Sequence, residues 1–154
     1  MSDNLGKKFE QKFKEDFILS FPGGTIDRLY DITLGYKTIS QVCDFIGYCY
    51  PNIFYLECKT IKGNTFPLSN LTQYEKLLAK RNVTGAITGA VIWFYEHDKV
   101  VFVPIKTFER LKIDGKKSVN IKYLENKLYN IIEIPSIKKR VFMDSDYSIL
   151  KGER

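Results

Sequence analysis

Residues 54–60 read FYLECKT, a strand-like stretch that places an acid and a base among apolar residues. Successive side chains of a strand point to opposite faces of its sheet. Glu57 and Lys59 therefore share one face of the predicted strand. The opposite face is apolar and consists of Phe54, Leu56 and Cys58. The stretch predicts a buried strand that carries two ionisable side chains on one side.

A second apolar strand, VCDFIGY at residues 42–48, precedes it and contains Asp44. The strands are expected at about 41–48 and 53–60, joined by a turn around Pro51, so they should pair as a hairpin. This pairing brings Asp44 towards Glu57. Two neighbouring carboxylates repel each other unless a positive charge lies between them, and Mg²⁺ prefers such oxygen ligands.

The spacing Asp44-x(12)-Glu57-x-Lys59 resembles the pattern of the PD-(D/E)xK nuclease superfamily. A bound cation at the two acids would polarise a phosphoryl oxygen and generate hydroxide from water. Lys59 would stabilise the developing negative charge or orient the attacking water. The alternative is a salt-bridged carboxylate pair with no catalytic role.

Helices and strands alternate along the rest of the chain. A four-residue apolar period predicts a helix over 4–19, and FPGG at 21–24 ends it. Further helices are expected at 70–81 and 106–112, and two apolar runs between 89 and 104 predict a hairpin. The predicted fold class is α/β (α+β), a restriction-endonuclease-like mixed central β-sheet flanked by helices, formed by residues 1–154 as a single domain.

Glu10 and Gln73 are candidates for the same site. On the first helix Glu10 falls at the border of the apolar stripe, so it can point towards the sheet; a plain surface glutamate is the alternative. Gln73 lies near the start of the second helix. Its amide oxygen could reach the metal or its water, or it could complete a capping box with Asn70.

Composition is compatible with a DNA-binding protein but does not select one, and cysteine usage indicates a reducing compartment. The 154 residues carry a net charge of +6, and phosphate contacts need Lys and Arg. The three cysteines have no CxxC spacing, and the one histidine, His97, sits in a predicted turn. No signal peptide or membrane span is expected, so the predicted location is cytoplasmic, with no membrane partner and no small-molecule substrate.

An ordered set of motifs resembles the RecU-type Holliday junction resolvases across roughly residues 4–120. The motifs are NLGKKFE at 4–10, RLYD at 28–31, CDFIGY at 43–48, FYLECKT at 54–60, NTFPLSN at 64–70, Gln73 and GKKS at 115–118. The resemblance implies a homodimeric nuclease that depends on Mg²⁺, with Mn²⁺ as an alternative, and cuts four-way DNA junctions symmetrically. By position, Asp44, Glu57 and Gln73 would bind metal. Lys59 would stabilise the transition state, and Glu10 would be an accessory acid.

The resemblance also implies DNA contacts. Lys7 and Arg28 would touch DNA, and residues 21–41 would form a short stalk or loop with Tyr36 and Lys37 as contacts. Basic clusters at 7–14 and 110–117 add the candidates Lys14, Lys116 and Lys117, although each cluster could instead be a solvated face.

Two departures from the family keep alternatives open. Val42 stands where the family usually has threonine, and the segment before Gln73 is about two residues shorter than the family pattern. One alternative is a PD-(D/E)xK nuclease of other specificity. Another is a non-catalytic accessory protein that holds branched DNA.

Overall fold

One six-stranded sheet organises the computed structural model, which describes residues 2–151. The helices are α1 (Ser2–Ser20), α2 (Tyr74–Leu78), α3 (Ile105–Ile113) and α4 (Tyr123–Asn126), with 3₁₀ turns at Leu68–Asn70 and Tyr147–Leu150. The strands are β1 (Thr25–Arg28), β2 (Ile32–Leu34), β3 (Lys37–Ile39), β4 (Phe45–Cys49), β5 (Asn52–Ile61), β6 (Thr65–Pro67), β7 (Ala86–Phe94), β8 (Lys99–Pro104), β9 (Ser118–Asn120), β10 (Ile132–Glu133), β11 (Ser136–Lys138) and β12 (Met143–Ser145).

The main sheet is mixed, as predicted. Its strand order is β1-β4-β5-β7-β8-β10, in which β5 and β7 run parallel and the other neighbours run antiparallel. All nine residues of β7 are buried, which explains why its sequence is a continuous apolar run without alternation. The helical and strand content confirms the predicted fold class of a mixed sheet flanked by helices.

Two apolar cores cover the two faces of this sheet. On one face the predicted stripe of α1 is confirmed, because Phe13 and Phe17 are fully buried and pack against Phe45 and Phe54. The other core contains residues of α2 and α3. The alternation of β5 is also confirmed. Its residues Phe54, Leu56 and Cys58 belong to the α1 core.

Two predicted boundaries and one predicted helix cap are wrong. The helix expected over 70–81 is reduced to Tyr74–Leu78, because Leu71 takes φ −87° and ψ 81° outside the helical region while its side chain is buried. Gln73 immediately precedes α2 and is itself its N-cap residue, so the capping box with Asn70 does not form. Strand β4 begins at Phe45, so Asp44 lies just before the strand rather than inside it.

The segment 21–41 projects less than expected. Its first part, β1, joins the main sheet beside β4, and only the β2–β3 hairpin stands apart. Every residue from 31 to 40 is exposed, and the hairpin turns at Gly35, whose φ of 64° suits glycine. Among residues 2–151, no helix is long and apolar enough to cross a bilayer.

The C-terminal segment is fastened to α1 by a buried carboxylate. Asp16 is 4% exposed, and its two oxygens accept hydrogen bonds from Lys12 Nζ at 2.8 Å and from the Ser145 N–H at 3.1 Å. Lys12 also reaches Asp144 at 2.7 Å. This cluster ties β12 to the helix that covers one face of the sheet.

We predict that Asp16→Ala lowers the free energy of unfolding by about 2 kcal/mol, because it leaves the Ser145 N–H without its acceptor and removes a buried partner of Lys12. Urea denaturation followed by circular dichroism measures this change. Asp144→Asn is the matched control: its side chain is about half exposed, so the loss should be well under half as large. Equal effects of the two substitutions would contradict the assignment.

Candidate active site

The register of β4 against β5 brings the two predicted acids together. Phe45 pairs with Leu56, so Asp44 lies opposite Glu57 at the point where β4 begins. One carboxylate oxygen of Asp44, Oδ2, accepts a hydrogen bond from the Cys58 N–H at 2.9 Å. The backbone of β5 therefore fixes Asp44 beside Glu57, as the hairpin prediction required.

Glu57 is a buried acid with incomplete charge compensation. It is 3% exposed, and the nearest cation is Lys59, whose Nζ lies 3.5 Å from Oε2. Burial and, secondarily, the negative charge of Asp44 raise the pKa of Glu57 to about 7, against the lowering effect of Lys59. Near neutral pH this carboxyl group is thus poised between its protonated and ionised forms.

One cavity of about 250 Å³ collects the central candidates. Its lining residues are Arg28, Leu29, Tyr30, Asp31, Cys43, Asp44, Glu57, Lys59, Thr72 and Gln73. The structure therefore brings Asp44, Glu57 and Lys59 to the same space as Gln73, whose place is set by the non-helical turn before α2. Val42 packs against the α2–α3 core instead, and it is absent from the residues that line this cavity.

Glu10 reaches the site through an arginine. Arg28, on the edge strand β1, donates from Nε and Nη2 to Glu10 at 3.0 and 3.2 Å. The same Nη2 lies 3.5 Å from Asp44 Oδ1. Sequence reasoning placed Glu10 towards the sheet correctly, but nothing in the spacing of the chain indicated that Arg28 would join Glu10 to Asp44.

A second cavity, of about 550 Å³, runs beside the first along α1. Its lining residues are Lys7, Glu10, Gln11, Lys14, Arg28, Tyr30 and Phe45, and this surface is the α1 groove from here on. Arg28 and Tyr30 line both cavities, so the α1 groove adjoins the space that holds the acids. The guanidinium of Arg28 lies over the Tyr30 ring at 4.9 Å.

The other predicted DNA contacts lie outside these two cavities. Tyr36 and Lys37 are exposed in the β2–β3 hairpin. Lys116 and Lys117 are exposed before β9, where the Lys117 carbonyl accepts a hydrogen bond from the Leu68 N–H. These four residues lie on other elements and line neither cavity.

The cysteines lie in the protein interior, and the histidine lies in a turn. All three cysteines are buried and unpaired with one another, as predicted. Burial raises the pKa of Cys43 to about 12, so its thiol stays neutral. His97 lies in the predicted turn and bonds Asn64 Oδ1 at 2.7 Å.

The donor set fits a hard divalent cation. Two carboxylates, Asp44 and Glu57, meet in a cavity that Gln73 also lines, and carboxylate and amide oxygens suit Mg²⁺ and Mn²⁺. Within residues 2–151, no group of three or more His, Cys, Asp or Glu side chains converges as a metal site. The fit therefore rests on two carboxylates, with other ligands supplied by amide, backbone or water oxygens.

Comparison with known proteins identifies the family. The model of the family described as "RecU: Recombination protein U" matches residues 23–141. The chain belongs to the recombination protein U family. This membership confirms the resemblance to RecU-type resolvases, and with it the predicted class of activity, Holliday junction resolution by a nuclease.

A solved structure has the same kind of fold. Hjc from Archaeoglobus fulgidus, a Holliday junction resolvase of an archaeal hyperthermophile, superposes with a TM-score of 0.54 at 18% sequence identity, covering 75% of this chain and 88% of that chain. At this identity the likeness supports the restriction-endonuclease-like fold alone. A search of curated protein sequences gave no significant match.

We predict that Glu57 makes the metal-free protein less stable as the pH rises. Its pKa rises on folding from an ordinary 4.5 to about 7, so between these values the folded protein holds a proton that the unfolded chain has released. The contribution of this group to the free energy of unfolding is fully present below pH 4.5. It is lost as the pH rises through 7, and the total loss is about 3 kcal/mol.

The measurement is urea denaturation in EDTA from pH 4.5 to 8 for the wild type and Glu57→Gln. Asp44 and Lys59 also act on this carboxyl group and remain in both proteins, so the difference between the two proteins reports the titration of Glu57 together with its coupling to Asp44. The stability of Glu57→Gln relative to wild type should rise with pH. A pH-independent difference would contradict the assigned pKa.

Proposed function

We propose that the protein is a Mg²⁺-dependent, homodimeric endodeoxyribonuclease that resolves four-way DNA junctions by paired phosphodiester hydrolysis. The observation that carries this proposal is the meeting of Asp44 and Glu57 beside Lys59 in one cavity. Two acids and an amine at this spacing supply the oxygen ligands and the positive charge that metal-assisted phosphate hydrolysis requires.

Four side chains of the cavity have a defined task in this mechanism. A divalent cation bound at Asp44 and Glu57 would polarise the scissile phosphoryl group and lower the pKa of water. Asp44 is oriented by the Cys58 N–H, which leaves its Oδ1 directed towards other partners. Lys59 extends from the same strand face as Glu57, so its ammonium can stabilise the negative charge that develops on phosphate oxygens. Gln73 lines the cavity, so its amide oxygen would serve as a further metal ligand or hold a water ligand.

The DNA approaches along the α1 groove in this proposal. Lys7 and Lys14 line that groove beside Arg28, so phosphates of the scissile strand can contact three cations next to the acids. Tyr36 and Lys37 extend from the exposed β2–β3 hairpin, and Lys116 and Lys117 offer further phosphate contacts. Contacts of this kind recognise the shape of a junction rather than a base sequence.

Symmetry supports the homodimer. A four-way junction has approximate two-fold symmetry, so a two-fold dimer would present equivalent sites to two strands of like polarity. One protomer carries one constellation of Asp44, Glu57 and Lys59, so paired nicks require two copies. Cytoplasmic location stays a prediction.

We predict that the wild type nicks a synthetic four-way junction at symmetric positions in Mg²⁺ or Mn²⁺ and leaves the linear duplex of the same arm sequence intact. Asp44→Asn should slow cleavage on the order of 10³-fold, because it removes a charged metal ligand. Asp27→Asn is the matched control, since Asp27 is an exposed aspartate on the neighbouring β1. Denaturing gels of end-labelled strands, with EDTA as the metal-free arm, give the rates.

Each other outcome identifies an alternative. Equal cutting of linear duplex would indicate a PD-(D/E)xK nuclease of other specificity. Tight junction binding without cleavage in either metal would indicate a non-catalytic accessory protein. Cleavage that is unaffected by Asp44→Asn would contradict the assigned site.

A further inference from the structure

Arg28 holds the position of a counter-ion at Asp44. Its Nη2 lies 3.5 Å from Asp44 Oδ1, while the other oxygen, Oδ2, is occupied by the Cys58 N–H. Arg28 also donates to the backbone carbonyls of Leu29 and Asp44. The side chain is mostly buried, so the guanidinium is held by several contacts rather than by one.

The two acids of the cavity each have a separate cation. Lys59 lies beside Glu57, and Arg28 lies beside Asp44. A divalent cation that binds both acids needs a free oxygen of Asp44. Oδ2 already accepts from the backbone, and a cation at Oδ1 would stand beside the guanidinium of Arg28, so the metal and Arg28 compete electrostatically for Asp44.

Glu10 binds Arg28 more closely than Asp44 does. Its two oxygens take a two-point contact at 3.0 and 3.2 Å, which is the strong geometry for a guanidinium and a carboxylate. Arg28 released from Asp44 therefore keeps a partner in Glu10. The contact occupies both oxygens of Glu10.

We propose that Arg28 is a resident counter-cation that a divalent metal displaces from Asp44, and that Glu10 is a positioning residue acting through Arg28 rather than a metal ligand. The inference rests on the proposed function, because it assumes a metal at Asp44 and Glu57. Its consequence is a coupling between the two cavities. Arg28, freed from Asp44 and still held by Glu10, presents its charge to a phosphate in the α1 groove beside Lys7 and Lys14.

A double-mutant cycle on metal affinity tests this assignment without DNA and without activity. Calorimetry measures Mn²⁺ binding to the full chain for the wild type, Arg28→Gln, Glu10→Gln and the double variant. Arg28→Gln removes the competing charge and should tighten Mn²⁺ binding by about 3- to 10-fold. Glu10→Gln leaves Arg28 uncompensated and should weaken binding by a similar factor.

The decisive comparison is Glu10→Gln in the Arg28→Gln background. A positioning residue has nothing to act through there, so the affinity of the double variant should equal that of Arg28→Gln within about twofold. Arg28→Lys keeps the charge and should stay close to the wild type. Thermal unfolding in EDTA checks that each variant folds, and Arg28→Met, which retains the aliphatic stem near Phe45, is the second neutral variant.

Two results would overturn the inference. Weaker or unchanged Mn²⁺ binding in both neutral Arg28 variants would mean that Arg28 does not compete with the metal. A loss of affinity from Glu10→Gln in the Arg28→Gln background would make Glu10 a ligand. Asp44→Asn separates this inference from the proposed function: if it leaves wild-type Mn²⁺ binding unchanged, the metal site itself is wrong.

Discussion

The site depends on the opposition of two carboxylates across an antiparallel strand pair. The register that pairs Phe45 with Leu56 also sets Asp44 against Glu57, and the Cys58 N–H fixes Asp44 in that place. Burial of Glu57 and, secondarily, the like charge of Asp44 disfavour its ionisation, so the pKa of Glu57 rises. The fold holds this arrangement because both strands are anchored by extensive apolar packing on each side. A cation between the acids relieves the repulsion that the packing imposes.

The surrounding architecture keeps this strand pair from shifting. Strand β5 lies between β4 and β7, and α1 packs across it through phenylalanine rings. Gly47 of β4 permits a close approach of α1: a Cβ there would lie 2.9 Å from the ring of Phe17. Because α1 also carries Glu10, the helix that covers the core is the same helix that reaches Arg28 and the edge of the site. Packing and site geometry therefore depend on one another.

Sequence periodicity was sufficient to predict a mixed sheet and the residues at the centre of the site. The two-residue alternation of FYLECKT placed Glu57 and Lys59 on one face, and the four-residue period of α1 placed Glu10 at the border of the core. Both patterns reflect burial, which is a local property of a regular element. The order of apolar runs likewise indicated the β7–β8 hairpin and the mixed sheet.

Contacts between distant segments could not be predicted in this way. The bridge from Glu10 through Arg28 to Asp44 joins three elements, and neither periodicity nor spacing encodes it. The shortening of the second helix arises from the buried, non-helical Leu71, a tertiary constraint that outweighs helix propensity. Asp16 was missed for a similar reason, because its partner Ser145 lies in a short strand at the far end of the chain.

A crystal structure of the protein with Mn²⁺, analysed by anomalous scattering, tests the central claim most directly. One anomalous peak per protomer is expected between the carboxylates of Asp44 and Glu57, on the side of the cavity that Gln73 lines. The peak should be absent in crystals of Asp44→Asn grown under the same conditions. The central claim would be contradicted by ordered Mn²⁺ elsewhere in the crystal, with no peak between the two acids and with Asp44 still paired to Arg28.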